Sequence, residues 1–303
     1  PFVLVCLLFI QILFEPPVLF WGMQQRFEYR YIKMVAQTLS MVIFNAVLGI
    51  LFVWIASANE AIARSCSIVL VQVIFGSFFY LYFWKSGKKV FSTKGWKHAL
   101  NVELPLLPHS LSLTILGSSD RIMIRNMVGA AEAGIYSVAY SVAMLMQLLN
   151  NAVSDAFIPW MYRRLKAKEY KVIEPVTNKL LILVAGTNIL LILFAPEVIA
   201  IFAPARYSDA IWVIPPVAAS VFFMFLFQRY INVEVYYGAT TSVSSTSILV
   251  AVLNIGLNYV CIKQWGYLAA GYTTLVSYMV FCIAHYFNLK KVCNKNCEGN
   301  QVF

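Results

Sequence analysis

The sequence predicts an all-α protein, a polytopic membrane bundle of about nine transmembrane helices. Three observations carry this. Hydrophobic residues make up 61% of the 303-residue chain, charged residues only 12%, and the mean hydropathy is +0.74. A soluble domain carries about 25% charged residues, so this composition cannot build a water-facing surface. Apolar stretches close to the ~20 residues that cross a hydrocarbon core as helix recur along the whole chain. Basic residues, finally, gather in alternate connections between those stretches.

The apolar runs, bounded by polar or turn residues, lie near 1 to 23, 35 to 55, 65 to 84, 105 to 125, 132 to 161, 179 to 196, 209 to 228, 242 to 262 and 267 to 288. The connection after the first carries Arg26, Arg30 and Lys33, and that after the third carries Lys85, Lys88, Lys89, Lys94 and Lys97. Arg163, Arg164, Lys166, Lys168, Lys171 and Lys179 follow the fifth, Arg229 the seventh, and Lys290, Lys291 and Lys295 the ninth. Only Arg64, Arg121, Arg125, Arg206 and Lys263 fall elsewhere. One missed span would invert every later loop, so nine spans with a cytoplasmic C-terminus satisfy the positive-inside rule. Trp84, Trp96, Trp160 and Trp265 sit near span ends, as an interfacial aromatic belt requires.

The net charge of +10 is spread between apolar spans, which points to anionic lipid headgroups and not to nucleic acid. Of six cysteines, those at 6, 66, 261 and 282 fall in or beside spans and read as small buried hydrophobes, whereas Cys293 and Cys297 lie in a polar tail. The chain starts at Pro1 without an initiator Met, a basic leader or a small-residue cleavage site, so its first apolar run is not a signal peptide. It reads as the C-terminal part of a longer protein. No phosphate-cradling glycine loop, zinc spacing or nucleophile elbow is found, which disfavours ATP-driven work, a cofactor and enzymatic chemistry.

Polar groups inside spans are the informative feature, because they are costly in hydrocarbon and face a bundle interior or a watery cavity. In the fourth span Ser110, Thr114, Ser118, Arg121 and Arg125 recur at helical spacing, and in the fifth Tyr136, Tyr140, Gln147, Asn151 and Asp155 do the same. The eighth carries Ser247, Asn254 and Asn258, read as glue between helices. Two arginines on one face exceed what packing requires, so Arg121, and Arg125 beside it, are candidates to bind an anion in a cavity with Ser118, Thr114, Tyr136, Tyr140, Gln147 and Asn151. Asp120 is expected to pair with an arginine, or to carry a coupling ion. Asp155 and Glu15, the latter just before Pro16 and Pro17 in mid-span, are further coupling candidates, with interfacial or kink-solvated roles as the alternative. His109 reads as a packed polar residue, and Arg229 with Glu234 as a solvated loop pair.

The run LGSSDRIMIRNMVGAAEAGIYSVAYSVAMLM at 116 to 146, AFIPWMYRRLK at 156 to 166 and VLNIGLNYVCIKQWGYLAAGYTTLVSY at 252 to 278 closely resemble the polysaccharide biosynthesis membrane proteins, the O-antigen and capsule oligosaccharide flippases. The resemblance implies a member of the multidrug/oligosaccharidyl-lipid/polysaccharide exporter superfamily, with two six-helix lobes around a central, often cationic cavity. Residues 1–104 would then be a partial N-terminal lobe of three helices with a basic linker, 105–288 a complete six-helix lobe and 289–303 a cytoplasmic tail. The implied cargo is polyprenyl-diphosphate-linked oligosaccharide, moved across a bacterial inner membrane by alternating access. The implied partners are that lipid, the bilayer, and a polysaccharide polymerase with its chain-length machinery. The rivals are a drug or ion antiporter of the same superfamily and an integral-membrane polymerase or acyltransferase.

Overall fold

The computed structural model describes residues 2 to 56, 59 to 87, 92 to 296 and 302. Among these the chain is all helical. Lys88, Lys89 and Cys297 lie outside the described residues. Nine long helices are present: α1 Phe2–Phe27, α2 Tyr31–Ile55, α3 Glu60–Gly87, α4 Thr93–Met127, α5 Ala130–Lys166, α6 Ile173–Leu193, α8 Ile214–Tyr236, α9 Thr240–Trp265 and α10 Leu268–Asn296. A short helix, α7 (Ala195–Phe202), and 3-10 turns at Tyr170–Val172 and Ala205–Trp212 complete the order.

Eight of the nine are apolar and long enough to cross a membrane. The exception is α4, whose 35 residues suffice in length, but whose Asp120, Arg121, Arg125 and recurrent serines lower its hydropathy. The same side chains therefore make it the richest helix in functional candidates and the poorest in membrane signal.

Helix boundaries follow local chemistry. In α5, Glu132 lies in the first turn and Arg163, Arg164 and Lys166 in the last, each sign complementing the helix dipole. Pro215 and Pro216 open α8, where a missing N–H costs nothing. Gly238 and Gly266, at φ 77° and 74°, turn the chain between α8 and α9 and between α9 and α10, a left-handed conformation that favours glycine. The seventh span was expected at 209 to 228. The helix instead starts at Ile214, just before the proline pair, and continues to Tyr236, so that Arg229 and Glu234 lie inside it.

The chain divides into two compact units, Pro1–Lys94 and Gly95–Phe303. In the first, α3 packs against α1 and α2. Pro16 and Pro17 lie inside α1, and Pro17 has no N–H to offer the Leu13 carbonyl one turn back. Tyr80 from α3 donates to that carbonyl at 2.9 Å, and Gln72 donates to the next, Phe14, at 3.3 Å. The two helices approach closely at Gly76, where a Cβ would lie 2.4 Å from the Phe14 carbonyl oxygen.

In the second unit α8 and α10 are the central helices, each with 56% of its spanning window buried. One apolar cluster, with Ile124, Ala139, Val142 and Ile214, packs the end near the α4–α5 turn. Leu116, Phe227, Val243 and Phe281 belong to a second, and Phe157, Met161, Tyr170 and Leu289 to a third near the end of α5. Outward surfaces carry large apolar side chains such as Leu8, Phe9, Ile50, Trp54, Ile182, Leu249 and Ile283, which suits lipid. Of the four cysteines expected to be buried, only Cys282 is; Cys6 is exposed and Cys66 and Cys261 are intermediate, since in a bilayer a small apolar group gains as much from lipid as from the core. Cys293, expected in a polar tail, is buried because α10 continues to Asn296 and carries it into the third cluster.

Candidate functional site

Two faces of α4 have different fates. Ser112, Leu116, Asp120 and Ile124, four residues apart, are its buried positions. The stripe singled out in the sequence is the other face: Ser110, Thr114 and Arg125 are exposed, and Ser118 and Arg121 half-buried.

Asp120, 1% exposed, is the centre of the buried face. Tyr136 of α5 donates to its Oδ2 at 2.8 Å, and Thr274 of α10 donates to the same oxygen at 2.7 Å. Asn258 of α9 donates to Oδ1 at 2.6 Å. Four helices thus meet at one carboxylate. The donors extend inward: Asn258 also reaches Asn254 Oδ1 at 3.2 Å, Asn254 donates to Ser277 at 3.1 Å, Ser119 donates to Asn254 at 3.3 Å, and Thr273 donates to Asn258. Two hydroxyls and one amide N–H thus donate to the carboxylate, which meets its buried acceptor atoms with neutral donors from three other helices.

The expected pairing of Asp120 with an arginine is not made. Successive helical residues point roughly 100° apart, so Asp120 turns into the bundle while Arg121 turns toward α5. There the guanidinium lies 4.5 Å from the centroid of the Tyr140 ring and donates to the Gly117 carbonyl one turn back. Gly117 permits this approach of α4 to α5, since a Cβ there would sit 3.3 Å from the Tyr140 hydroxyl. Tyr140 stacks on Tyr136, centroids 6.3 Å apart. Asp120, Tyr136, Tyr140 and Arg121 therefore form one continuous line from the buried core to the open face of α4.

The rest of the expected set is dispersed. Gln147 donates to Asn151 at 2.9 Å further along α5. Asp155, half-buried, is nineteen residues beyond Tyr136, about 28 Å along the helix axis. Arg125 stands exposed near the end of α4. Glu15 belongs to the first unit, where it shares a cavity of ≈ 590 Å³ with Arg26, Gln37, Asn45, Arg64 and Gln72.

Three further groups were misjudged or missed in the sequence. Ser247, Asn254 and Asn258, read as glue, are fully buried and do bond to neighbouring helices, and Asn258 also donates to the carboxylate. Thr273, Thr274 and Ser277 of α10 went unnoticed; their signal is three hydroxyls at near-helical spacing in an apolar run. Arg229 and Glu234, read as a solvated pair, are 2% and 0% exposed and do not pair with each other. Glu234 instead meets His285 of α10, its Oε1 2.7 Å from Nδ1. His109, as expected, is a packed polar residue, 2.6 Å from Ser247 Oγ.

This is a four-helix polar centre in a multi-pass membrane bundle. Residues 2–165 match the model of the family described as polysaccharide biosynthesis protein, and the chain belongs to that family. It is 29% identical over 111 residues to Lsg locus putative protein 1 of Haemophilus influenzae, a stretch covering 35% of this chain and 28% of that protein. Its fold is shared with solved structures of membrane transporters. It superposes on the outward-facing structure of a multidrug resistance MATE family transporter with a TM-score of 0.72 at 16% identity, covering 88% of this chain and 63% of that one. A MATE transporter of Vibrio cholerae gives 0.72 at 12% identity, with 86% and 63% covered. A superfamily transporter from Pyrococcus furiosus gives 0.65 at 15%, with 86% and 62% covered. The chain thus spans less than two thirds of the transporters whose fold it shares.

Proposed function

We propose that this protein is the greater part of a flippase that moves polyprenyl-diphosphate-linked oligosaccharide across a bacterial inner membrane for surface polysaccharide assembly, with its C-terminus in the cytoplasm. The observation that carries the reading is the Arg121–Tyr140 pair on the open polar face of α4, in a chain of the polysaccharide biosynthesis family. A diphosphate and sugar headgroup cannot cross hydrocarbon unaided. The guanidinium offers the diphosphate a bidentate, charge-assisted clamp, and Ser110, Thr114 and Ser118 offer hydroxyls to sugar. The polyprenyl tail stays in lipid. Asp120 holds the coupling proton or cation: its three donors are neutral, so the carboxylate can bind a cation without first breaking an ion pair. Glu15 and Asp155 are secondary candidates. A polymerase and chain-length machinery would act on the delivered cargo.

A drug or ion antiporter is the second reading, favoured by the likeness of fold to multidrug transporters. It calls for acidic or aromatic groups where α4 presents Arg121. The discriminating experiment is complementation in cells lacking the native flippase. Arg121→Ala abolishes surface polysaccharide at unchanged membrane protein level, and Arg121→Lys restores part of it, because an ammonium lacks the planar fork. Tyr140→Phe keeps the ring under the guanidinium and stays active. Full surface polysaccharide with Arg121→Ala would remove this site from the cargo path.

A further inference from the structure

Between α8 and α10 a groove opens on the surface of the second unit, apart from the residues assigned above. Phe223, Leu226 and Tyr230 of α8 and Cys282, Ile283 and Tyr286 of α10 line a cavity of ≈ 450 Å³. Cys282 is buried at its floor, where the thiol donates to the Phe223 carbonyl at 3.1 Å and ties the two helices together. Tyr230 and Tyr286 meet edge to face at the end nearer the helix C-termini, ring centroids 6.1 Å apart, and Phe287 packs on Tyr286 at 5.9 Å. Ile283, Tyr286 and Phe287 are exposed along the rim. A slot of this size falls within the ~300–1,000 Å³ of small-ligand sites, and its apolar walls suit a hydrocarbon chain.

One turn beyond the groove, α10 becomes basic. Lys290 follows Tyr286, and Lys291 follows Phe287, by four residues, the spacing that keeps side chains on one helical face. Both lysines are exposed, and neither enters an ion pair among the described residues. The packed helices supply no carboxylate to neutralise them: α9 and α10 contain none, and Glu234, the one carboxylate of α8, is fully buried against His285. The nearby ends of α5 and α6 carry Asp155, Glu169 and Glu174 against Arg163, Arg164, Lys166, Lys168, Lys171 and Lys179, and so add no net negative charge. An apolar slot therefore leads to two unneutralised ammonium groups at a helix end, the level at which lipid phosphates lie.

We infer that this groove binds one anionic phospholipid of the surrounding bilayer, an acyl chain lying along α8 and α10 and the phosphate held by Lys290 and Lys291. Lysines are point charges, which suit the single charge of a phosphodiester, whereas a diphosphate is better matched by the planar fork of an arginine such as Arg121. Each lysine beside an anionic headgroup raises affinity about fivefold. The groove supplies the apolar contact and the lysine pair supplies the selectivity for charge.

The test is native mass spectrometry of the full chain in detergent, titrated with phosphatidylglycerol, phosphatidylcholine or a polyprenyl monophosphate. One phosphatidylglycerol stays on each chain, preferred over phosphatidylcholine by about twentyfold. Lys290→Gln with Lys291→Gln, both on exposed positions that leave the fold intact, removes the preference. Lys171→Gln with Lys179→Gln keeps it. That second pair removes equal charge from the same end, where Tyr170 and Ile173 cluster with Leu289, but from elements that do not line the groove. Ile283→Trp fills the slot and weakens both phospholipids. Equal affinity for the two phospholipids would overturn the inference, as would a preference that survives Lys290→Gln with Lys291→Gln or is lost in Lys171→Gln with Lys179→Gln. Displacement of phosphatidylglycerol by an equal concentration of the polyprenyl monophosphate would assign the groove to another lipid, and a dimer without bound lipid would assign it to a second copy; either overturns it too. Binding and not transport is measured, so failure here leaves the flippase reading as it stands.

Discussion

The phenol of Tyr136 donates to Asp120 Oδ2 at 2.8 Å, tying the C-terminal part of α4 to the first turns of α5 at a point where both side chains are 1% exposed or less. Because the Tyr136 ring also stacks on Tyr140, which underlies Arg121, this hydrogen bond mechanically joins the carboxylate to the guanidinium although the two charges do not touch.

Tyr136→Phe removes one of three donors and leaves the ring stack intact. A hydrogen bond to a charged group is worth about 1.5–3 kcal/mol, so the purified variant melts earlier in a detergent thermal scan yet keeps its α4–α5 packing. An unchanged melting point would show that the hydroxyl is not bonded in the folded protein.

Substitution of Asp120 separates structure from coupling. Asp120→Ala strands Tyr136, Thr274 and Asn258 at once, each stranded donor costing about 1–3 kcal/mol, and lowers the amount of folded protein. Asp120→Asn can turn its amide toward the two hydroxyls, which also accept, and its oxygen toward Asn258, so it folds. It loses ion-dependent transport while protein levels hold. Equal abundance of both variants would contradict the network.

At Gly76 the neighbour of a new Cβ is backbone, the Phe14 carbonyl beside the Pro16–Pro17 kink. Gly76→Ala forces α1 and α3 apart and costs about 1–3 kcal/mol by overpacking, whereas Gly22→Ala, with nothing within 4 Å, is neutral. Comparing the two melting points checks the close approach directly.

Reporter fusions at Lys94, Lys168 and Lys295 read out cytoplasm, and those at Glu60 and Ala203 periplasm. The motive is the accumulation of Lys and Arg in alternate connections. A single reversed position defeats the orientation.

The α4 stripe shows how far a site is readable from one helix. Helical spacing alone grouped Ser110, Thr114, Ser118, Arg121 and Arg125, and these share the exposed to half-buried side of α4. The period says nothing about what each face meets, however, so Asp120 was assigned an arginine beside it in sequence when its partners are 16, 138 and 154 residues away. Glu234 and His285, 51 residues apart, left no local signal at all. Glu234 was placed in a loop because the apolar run of α8 thins before its hydrogen-bonded helix ends.

The sequence by itself determined that this chain is a helical membrane protein, which helices it has, and which family it resembles. Those properties rest on hydropathy, charge and motif, which are local and additive along the chain. The tertiary structure alone decided which polar groups are sheltered and which face outward, because a buried carboxylate is stabilised by donors brought from distant helices. In that packing Asp120 and Arg121, neighbours in sequence, part company, and Glu234 finds His285.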